Sequence, residues 1–120
     1  MRSAVQKALE ACPVEVSVAV IGGAWKASTL RYLGERTYRF GELQRELGPV
    51  APRTLTRALR ELEADGVIKR AVYAEVPPKV EYSLTPLGES LTPLIAFLDQ
   101  WGSYYSGLDV EPGNDGSPLP

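Results

Sequence analysis

The sequence predicts a mainly α fold with a small β-hairpin (α+β), and three observations predict it. Apolar residues recur at three- and four-residue spacing through most of the chain, the period of a helix that buries one face. After Gly66 the pattern switches to alternation in "VIKRAVY" and "VEYSL", the period of strands. Gly and Pro stand between these segments as breakers. At 120 residues, 44% of them apolar, the chain has the length of one domain and enough apolar residues for a core.

A first helix is expected over 14–21. Val14, Val18 and Ile21 recur at helical spacing, Pro13 suits the first turn, and Gly22-Gly23 ends the segment. A second helix runs from about Ala24 to Leu33, with Trp25, Leu30 and Leu33 apolar and Gly34 at its end. "RTYRF" (36–40) is short, aromatic and β-prone, and reads as a small strand. "FGELQRELG" places Phe40, Leu43 and Leu47 on one helical face before Gly48, Pro49 and Pro52 interrupt the chain. "APRTLTRALRELEADG" (51–66) is the next helix, stopped at Asp65-Gly66. Two helices across a short Gly/Pro turn make a helix-turn-helix pattern. "AEVPPK" is then the tip of a hairpin. One long last helix begins near Pro86 and carries Leu87, Leu91, Leu94, Ile95, Leu98 and Trp101 at helical spacing. Helix, helix, short strand, helix, helix, hairpin, helix is the winged helix-turn-helix order. Residues 1–105 are assigned to that domain. The tail 106–120 is rich in Gly, Pro, Asp and Ser and is expected to be disordered.

Composition narrows the function. Cys12 is the single cysteine, which rules out an intrachain disulfide. The chain has no His, and a zinc site needs several Cys or His ligands. The same absence removes the commonest general base and the Ser/His and Cys/His nucleophile pairs. No other catalytic constellation stands out, so no enzyme, metal or cofactor is expected. No apolar run approaches the ~18 residues of a membrane span, and the N-terminus lacks a signal-peptide pattern. A soluble cytoplasmic protein with no membrane partner is the expectation. Net charge is −2, and without the tail the body holds 13 basic and 12 acidic residues. Bulk charge therefore does not argue for nucleic acid. Only local distribution does.

That distribution is uneven in the helix over about 52–64. At ~100° per residue, Leu55, Leu59 and Leu62 lie within roughly 60° of one another and form a buried stripe. Arg53, Arg57 and Arg60 fall opposite, with Thr54 and Thr56 beside them near the N-terminal end. The pairs Arg57–Glu61 and Arg60–Glu63 also fit the salt bridges of an ordinary solvated face. The helix takes its meaning from its place as the second of a helix-turn-helix. There it enters the major groove, where Arg reads guanine O6 and N7 and Thr meets phosphate oxygens or the thymine methyl. The hairpin, the wing over 69–82, adds Lys69 and Arg70 on its first strand and Lys79 at its tip. Such bases contact the phosphate backbone, although Glu75 and Glu81 are close by. Lys26 is a weaker candidate for a phosphate. Trp25 reads as core, and Tyr32, Tyr38, Tyr73 and Tyr82 as core edges.

The sequence resembles the HxlR-type (MarR-like) winged helix-turn-helix transcriptional regulators over about residues 11–105. The motifs are "CPVEVSVAVIGGAWK", "RFGELQRELGPVAPRTLTRALRELEADGVIKR", "YAEVPPKVEYSLTPLGESL" and "LIAFLDQWG". The resemblance implies a dimer that binds operator DNA and often represses nearby genes. It places Arg53, Thr54, Thr56 and Arg57 on the recognition helix, Lys79 at the wing tip, and Cys12 where some members sense electrophiles, quinones or oxidants. "AST" in "GAWKASTLRYLGERTYRF" stands where bulkier residues are usual, and the Gly/Pro tail runs past the family's ending.

Cys12 precedes Pro13 at a helix start. The positive end of a helix favours the thiolate that oxidants attack, whereas Glu10 and Glu15 oppose it. A lone cysteine is more often a small buried hydrophobe. The apolar face of the last helix is longer than a small domain's own core requires. Together with the first helix (14–21) it is expected to build a two-fold homodimer. Two recognition helices then stand about 34 Å apart on a pseudo-palindromic operator. The expected protein is a dimeric, sequence-specific regulator of double-stranded DNA, acting as a repressor and adjusted by a small-molecule or electrophile effector or by Cys12. The rival reading is a winged-helix protein-interaction module that does not bind DNA.

Overall fold

The computed structural model describes residues 1–113. The elements are α1 (Ser3–Ala8), α2 (Pro13–Ile21), α3 (Lys26–Leu33), α4 (Phe40–Leu47), α5 (Pro52–Ala64), β1 (Ile68–Tyr73), β2 (Lys79–Leu84), α6 (Pro86–Glu89) and α7 (Thr92–Ser106). This is the expected winged helix-turn-helix, mostly helical with one antiparallel hairpin. The expectation of disorder over 106–120 meets Ser106 as the last residue of α7, and residues 114–120 lie outside the described residues.

The core forms where α3, α4 and α5 meet the base of the hairpin. Leu30 and Leu33 come from α3, Leu43 and Leu47 from α4, and Leu55, Leu59 and Leu62 from α5, all buried. Val50, Val67, Ile68 and Tyr38 complete it. Each buried leucine stabilises the fold by about 2 kcal/mol. The turn from α4 to α5 reverses at Gly48, whose φ of 86° suits a residue without Cβ. The Gln44 side chain donates to the Val50 carbonyl at 3.3 Å and holds that turn. At the start of α4 the Glu42 carboxylate accepts the Arg39 backbone N–H at 2.8 Å, an N-terminal tie that leaves α4 well anchored.

In the hairpin Ile68 pairs with Leu84, Arg70 with Tyr82 and Tyr73 with Lys79. The strand expected over 36–40 is reduced to one bridge. Tyr38 and Tyr82 exchange backbone hydrogen bonds at 3.0 and 2.7 Å. At the foot of the hairpin, Thr85 caps α6 by accepting the Gly88 N–H. A Cβ on Gly88 would fall 1.9 Å from the Val67 carbonyl oxygen, so only glycine allows α6 to approach the residue before β1 this closely.

Other parts of the chain also differ from expectation. α1 was not read, because only Val5 of it is buried and no apolar period marks it. The long last helix is two helices: Pro93 lacks the N–H that would continue the ladder, and α7 starts anew at Thr92. Tyr73 is exposed rather than a core edge, while Tyr38 is buried and Tyr32 and Tyr82 pack against the core.

Candidate nucleic-acid interface

α5 carries the site because its two faces are chemically separate. Leu55, Ala58, Leu59 and Leu62 are all buried, so the opposite face must point outward. Pro52 occupies the first turn, Ala51 offers no side-chain cap, and no acid lies in that turn. The first N–H groups and the positive helix end therefore face out beside Arg53.

The arginines divide along the exposed face. Arg53 and Arg57 share a depression with Thr54, Gly23, Lys26 and Glu61. Arg60 lies on the other flank with Thr56, Glu63, Arg70 and Tyr82, in the groove between helix and hairpin. Thr54 and Thr56 are half-buried on opposite flanks. The expected Arg57–Glu61 pair is present at 3.2 Å, whereas no ion pair joins Arg60 to Glu63. Thus Arg53, Thr54, Thr56, Arg57 and Arg60 all lie on one helix, but they serve two adjoining surfaces.

The wing is also divided. Alternate residues of a strand face opposite sides. Arg70 therefore shares a side with Tyr82 and turns toward α5, while Lys69 lies on the other side with Tyr73, Lys79 and Glu81. Lys79 is not at the tip. It begins β2, with its ammonium 2.9 Å from Glu81 and 5.1 Å from the centre of the Tyr73 ring. The hydrogen-bonded Glu81 carboxylate holds Lys79 above the usual lysine range. The tip itself is Ala74–Pro78, with a cis Val76-Pro77 bond.

Behind Arg57 stands a network that the sequence reading missed. The Lys26 ammonium, expected to face phosphate, is buried, and it lies 2.5 Å from Glu61 Oε2. Arg2 Nη1 reaches the same oxygen at 3.4 Å. Arg2 also donates to Asp65 at 2.8 Å and to the Ala19 carbonyl at 2.6 Å. Asp65 has a side chain only 1% exposed and caps the C-terminal end of α5. The Lys26 ammonium, and after it the Arg57 guanidinium, hold the Glu61 carboxyl below the usual glutamate range against the opposing effect of burial. The i,i+4 spacing of Arg57 and Glu61 was a legible signal for part of this. The burial of Lys26 had none. Cys12 is exposed at the N-cap of α2, and its side chain makes no capping hydrogen bond.

A family model described as HxlR-like helix-turn-helix matches residues 20–109. The chain belongs to the HxlR-like helix-turn-helix family. It is 49% identical over 96 residues to the helix-turn-helix-type transcriptional regulator YdeP of Bacillus subtilis, spanning 80% of this chain and 75% of that relative. It is 49% identical over 102 residues to a helix-turn-helix-type transcriptional regulator of Methanothermobacter thermautotrophicus, spanning 85% and 78%. Among solved structures, the redox regulator HypR in its oxidised form superposes with a TM-score of 0.75 at 46% identity, over 82% of this chain and all of that one. Its reduced form gives 0.76 at 44%, over 80% and 95%. The chain is accordingly an HxlR-like transcriptional regulator, and none of these relatives is described as an enzyme. Among the described residues no helix is long and apolar enough to cross a membrane, and no cluster of His, Cys, Asp or Glu could hold a metal ion.

Proposed function

We propose that the chain is a dimeric, sequence-specific DNA-binding regulator that represses by occupying an operator. One observation carries the reading: α5 spends its leucines on the core and keeps its arginines, and no acid in its first turn, on the outside. Arg53 and Arg57 would meet base edges and nearby phosphates, with Arg60 and Arg70 on the backbone across the helix–wing groove. Lys69 and Lys79 lie on the far side of the wing and take a lesser part. Selection of genomic fragments by the full chain, followed by anisotropy titration at two salt concentrations, tests this. One or more fragments should bind well above random DNA. Failure to enrich any fragment, with no binding to random DNA either, would favour the protein-interaction module instead.

The dimer is supported by α7. Ile95 is its buried residue, against α3, whereas Leu94, Phe97, Leu98, Trp101, Tyr104 and Tyr105 are exposed and cover one side of the helix. On α2, Val14 and Val18 are exposed as well, and no residue of that helix is buried. Exposed apolar area on this scale marks an association surface. A two-fold pairing through α2 and α7 would set two α5 helices about 34 Å apart on a pseudo-palindromic site. A monomer in sedimentation at micromolar concentration would contradict it.

Cys12 is proposed as the site through which oxidants adjust binding. Its exposure at the start of α2 supports this, as does similarity to a protein described as a redox regulator. With one thiol per chain, oxidation ends in a disulfide to a second copy or to a small thiol, each sulfur losing its proton and the oxidant taking up two electrons. Diamide treatment should change operator affinity in the wild type and not in Cys12→Ser. No change, or an equal change in both, would remove Cys12 from the account.

A further inference from the structure

We propose that Glu61 is the positioning residue that makes Arg57 the base-reading arginine of α5, by fixing its Nε on a carboxylate that buried Lys26 holds in place. The proposal rests on the reading of α5 as the DNA-reading helix, and it says which arginine of that helix reads.

The argument starts with Lys26, whose side chain is 3% exposed. A buried ammonium persists only when it is paired, and its partner is Glu61 Oε2 at 2.5 Å. The turn before α3 turns this lysine inward. Trp25 there has φ 67° and ψ 3°, a left-handed conformation that non-glycine residues adopt rarely and that tends to persist where the surrounding structure demands it. Arg2 reaches the same oxygen from the N-terminal segment. One carboxylate oxygen is thus held by cations from two other parts of the chain. The other, Oε1, is left for Arg57 Nε at 3.2 Å.

Arg57 remains free where it matters. Its side chain is 83% exposed, and Nε is the nitrogen bound to Glu61. The two terminal nitrogens make no hydrogen bond among the described residues, and side by side they form the fork that fits guanine O6 and N7. Arg53 and Arg60 have no side-chain hydrogen bond or ion pair among the described residues. An arginine held in one rotamer before binding loses less entropy on binding and is aimed at one place. Unheld arginines suit phosphates, which they can reach from many rotamers. Lys26 also balances Glu61, so the carboxylate directs Arg57 without cancelling the positive charge of the site.

The competing account makes Lys26–Glu61 a plain tie between α3 and α5. The test uses the full chain, a duplex selected by it from a random pool, and a scrambled duplex of the same composition. In Glu61→Ala the ratio of the two affinities should fall by about tenfold or more. Preference should relax at one G·C pair, and affinity for the scrambled duplex should hold or rise. Glu61→Gln has a single acceptor oxygen, which buried Lys26 claims, so Arg57 Nε loses its partner and discrimination should fall here too. Glu61→Ala strands a buried cation, so Lys26→Met/Glu61→Ala is measured beside it, with folding checked by circular dichroism, and should lose discrimination equally. In an Arg57→Ala background, Glu61→Ala should change the ratio by less than about twofold. An unchanged ratio in the folded double variant overturns the proposal. So does an equal loss on both duplexes, or an undiminished effect without Arg57. A wild-type chain that selects no duplex fails differently: it removes the DNA-reading assignment itself, and the proposal with it.

Discussion

α5 and α7 are both amphipathic, and they use that property in opposite ways. α5 buries its whole apolar stripe, Leu55, Leu59 and Leu62, and shows polar and basic residues. α7 buries Ile95 and shows Phe97, Trp101 and Tyr104. The Trp101 and Tyr105 rings stack on each other at 5.1 Å in the open. A three- and four-residue period says that a helix has an apolar face. It does not say whether that face meets its own chain or another. The comparison teaches that the two outward surfaces differ in kind, and on the proposed function they divide the work: one helix would offer charge to a polyanion, the other apolar area to a second copy.

The sharpest way to break this comparison is to cut each face and read stability and association separately. Leu62→Ala should cost about 3 kcal/mol in urea unfolding, because it leaves a cavity in the closed core. Trp101→Ala should barely move that stability at concentrations where the chain is monomeric. It should instead raise the dimer dissociation constant about thirtyfold in sedimentation, the loss expected of an aromatic anchor. Equal effects of both variants on stability would mean that α7 belongs to the monomer's own core.

A finer contrast lies within the wing. Arg70→Ala should lower the salt slope of DNA binding by about 1, as the loss of one phosphate contact does. Lys69→Ala, on the other side of the strand, should leave the slope close to that of the wild type. The smallest effect concerns acid. The Glu61 carboxyl titrates lower in the fold than in the unfolded chain. Its contribution to stability is therefore complete above the usual glutamate range, wanes as pH falls through that range, and is gone below the lowered folded value. Urea unfolding of wild type and Glu61→Gln should differ most near neutral pH and converge in acid.

Much of the fold was legible. The leucines of α5, the breakers Gly48 and Pro49, and the alternation of β1 and β2 are local signals, and each element stands where its signal put it. What was not legible depended on partners far along the chain. α1 has little apolar period and is held by Arg2 reaching Asp65. Lys26 was a candidate to reach a phosphate, and its burial depends on Glu61 two helices later. The leucine spacing from Leu87 to Leu98 ran across the break at Ser90-Leu91 and concealed it. On the candidate site, the helix and its basic residues were readable. The division of those residues between two surfaces, and the opposite facing of Lys69 and Arg70, required the register of the hairpin and its packing on α5.

The measurement that bears most directly on the account is an anisotropy titration of one selected duplex with the wild type and with Arg53→Ala/Arg57→Ala, against random DNA at matched salt. The account predicts that the variant stays folded and dimeric, keeps weak salt-dependent binding to random DNA, and loses its preference for the selected duplex. A variant that prefers the selected duplex as strongly as the wild type would contradict it, and the reader would have to be sought away from α5.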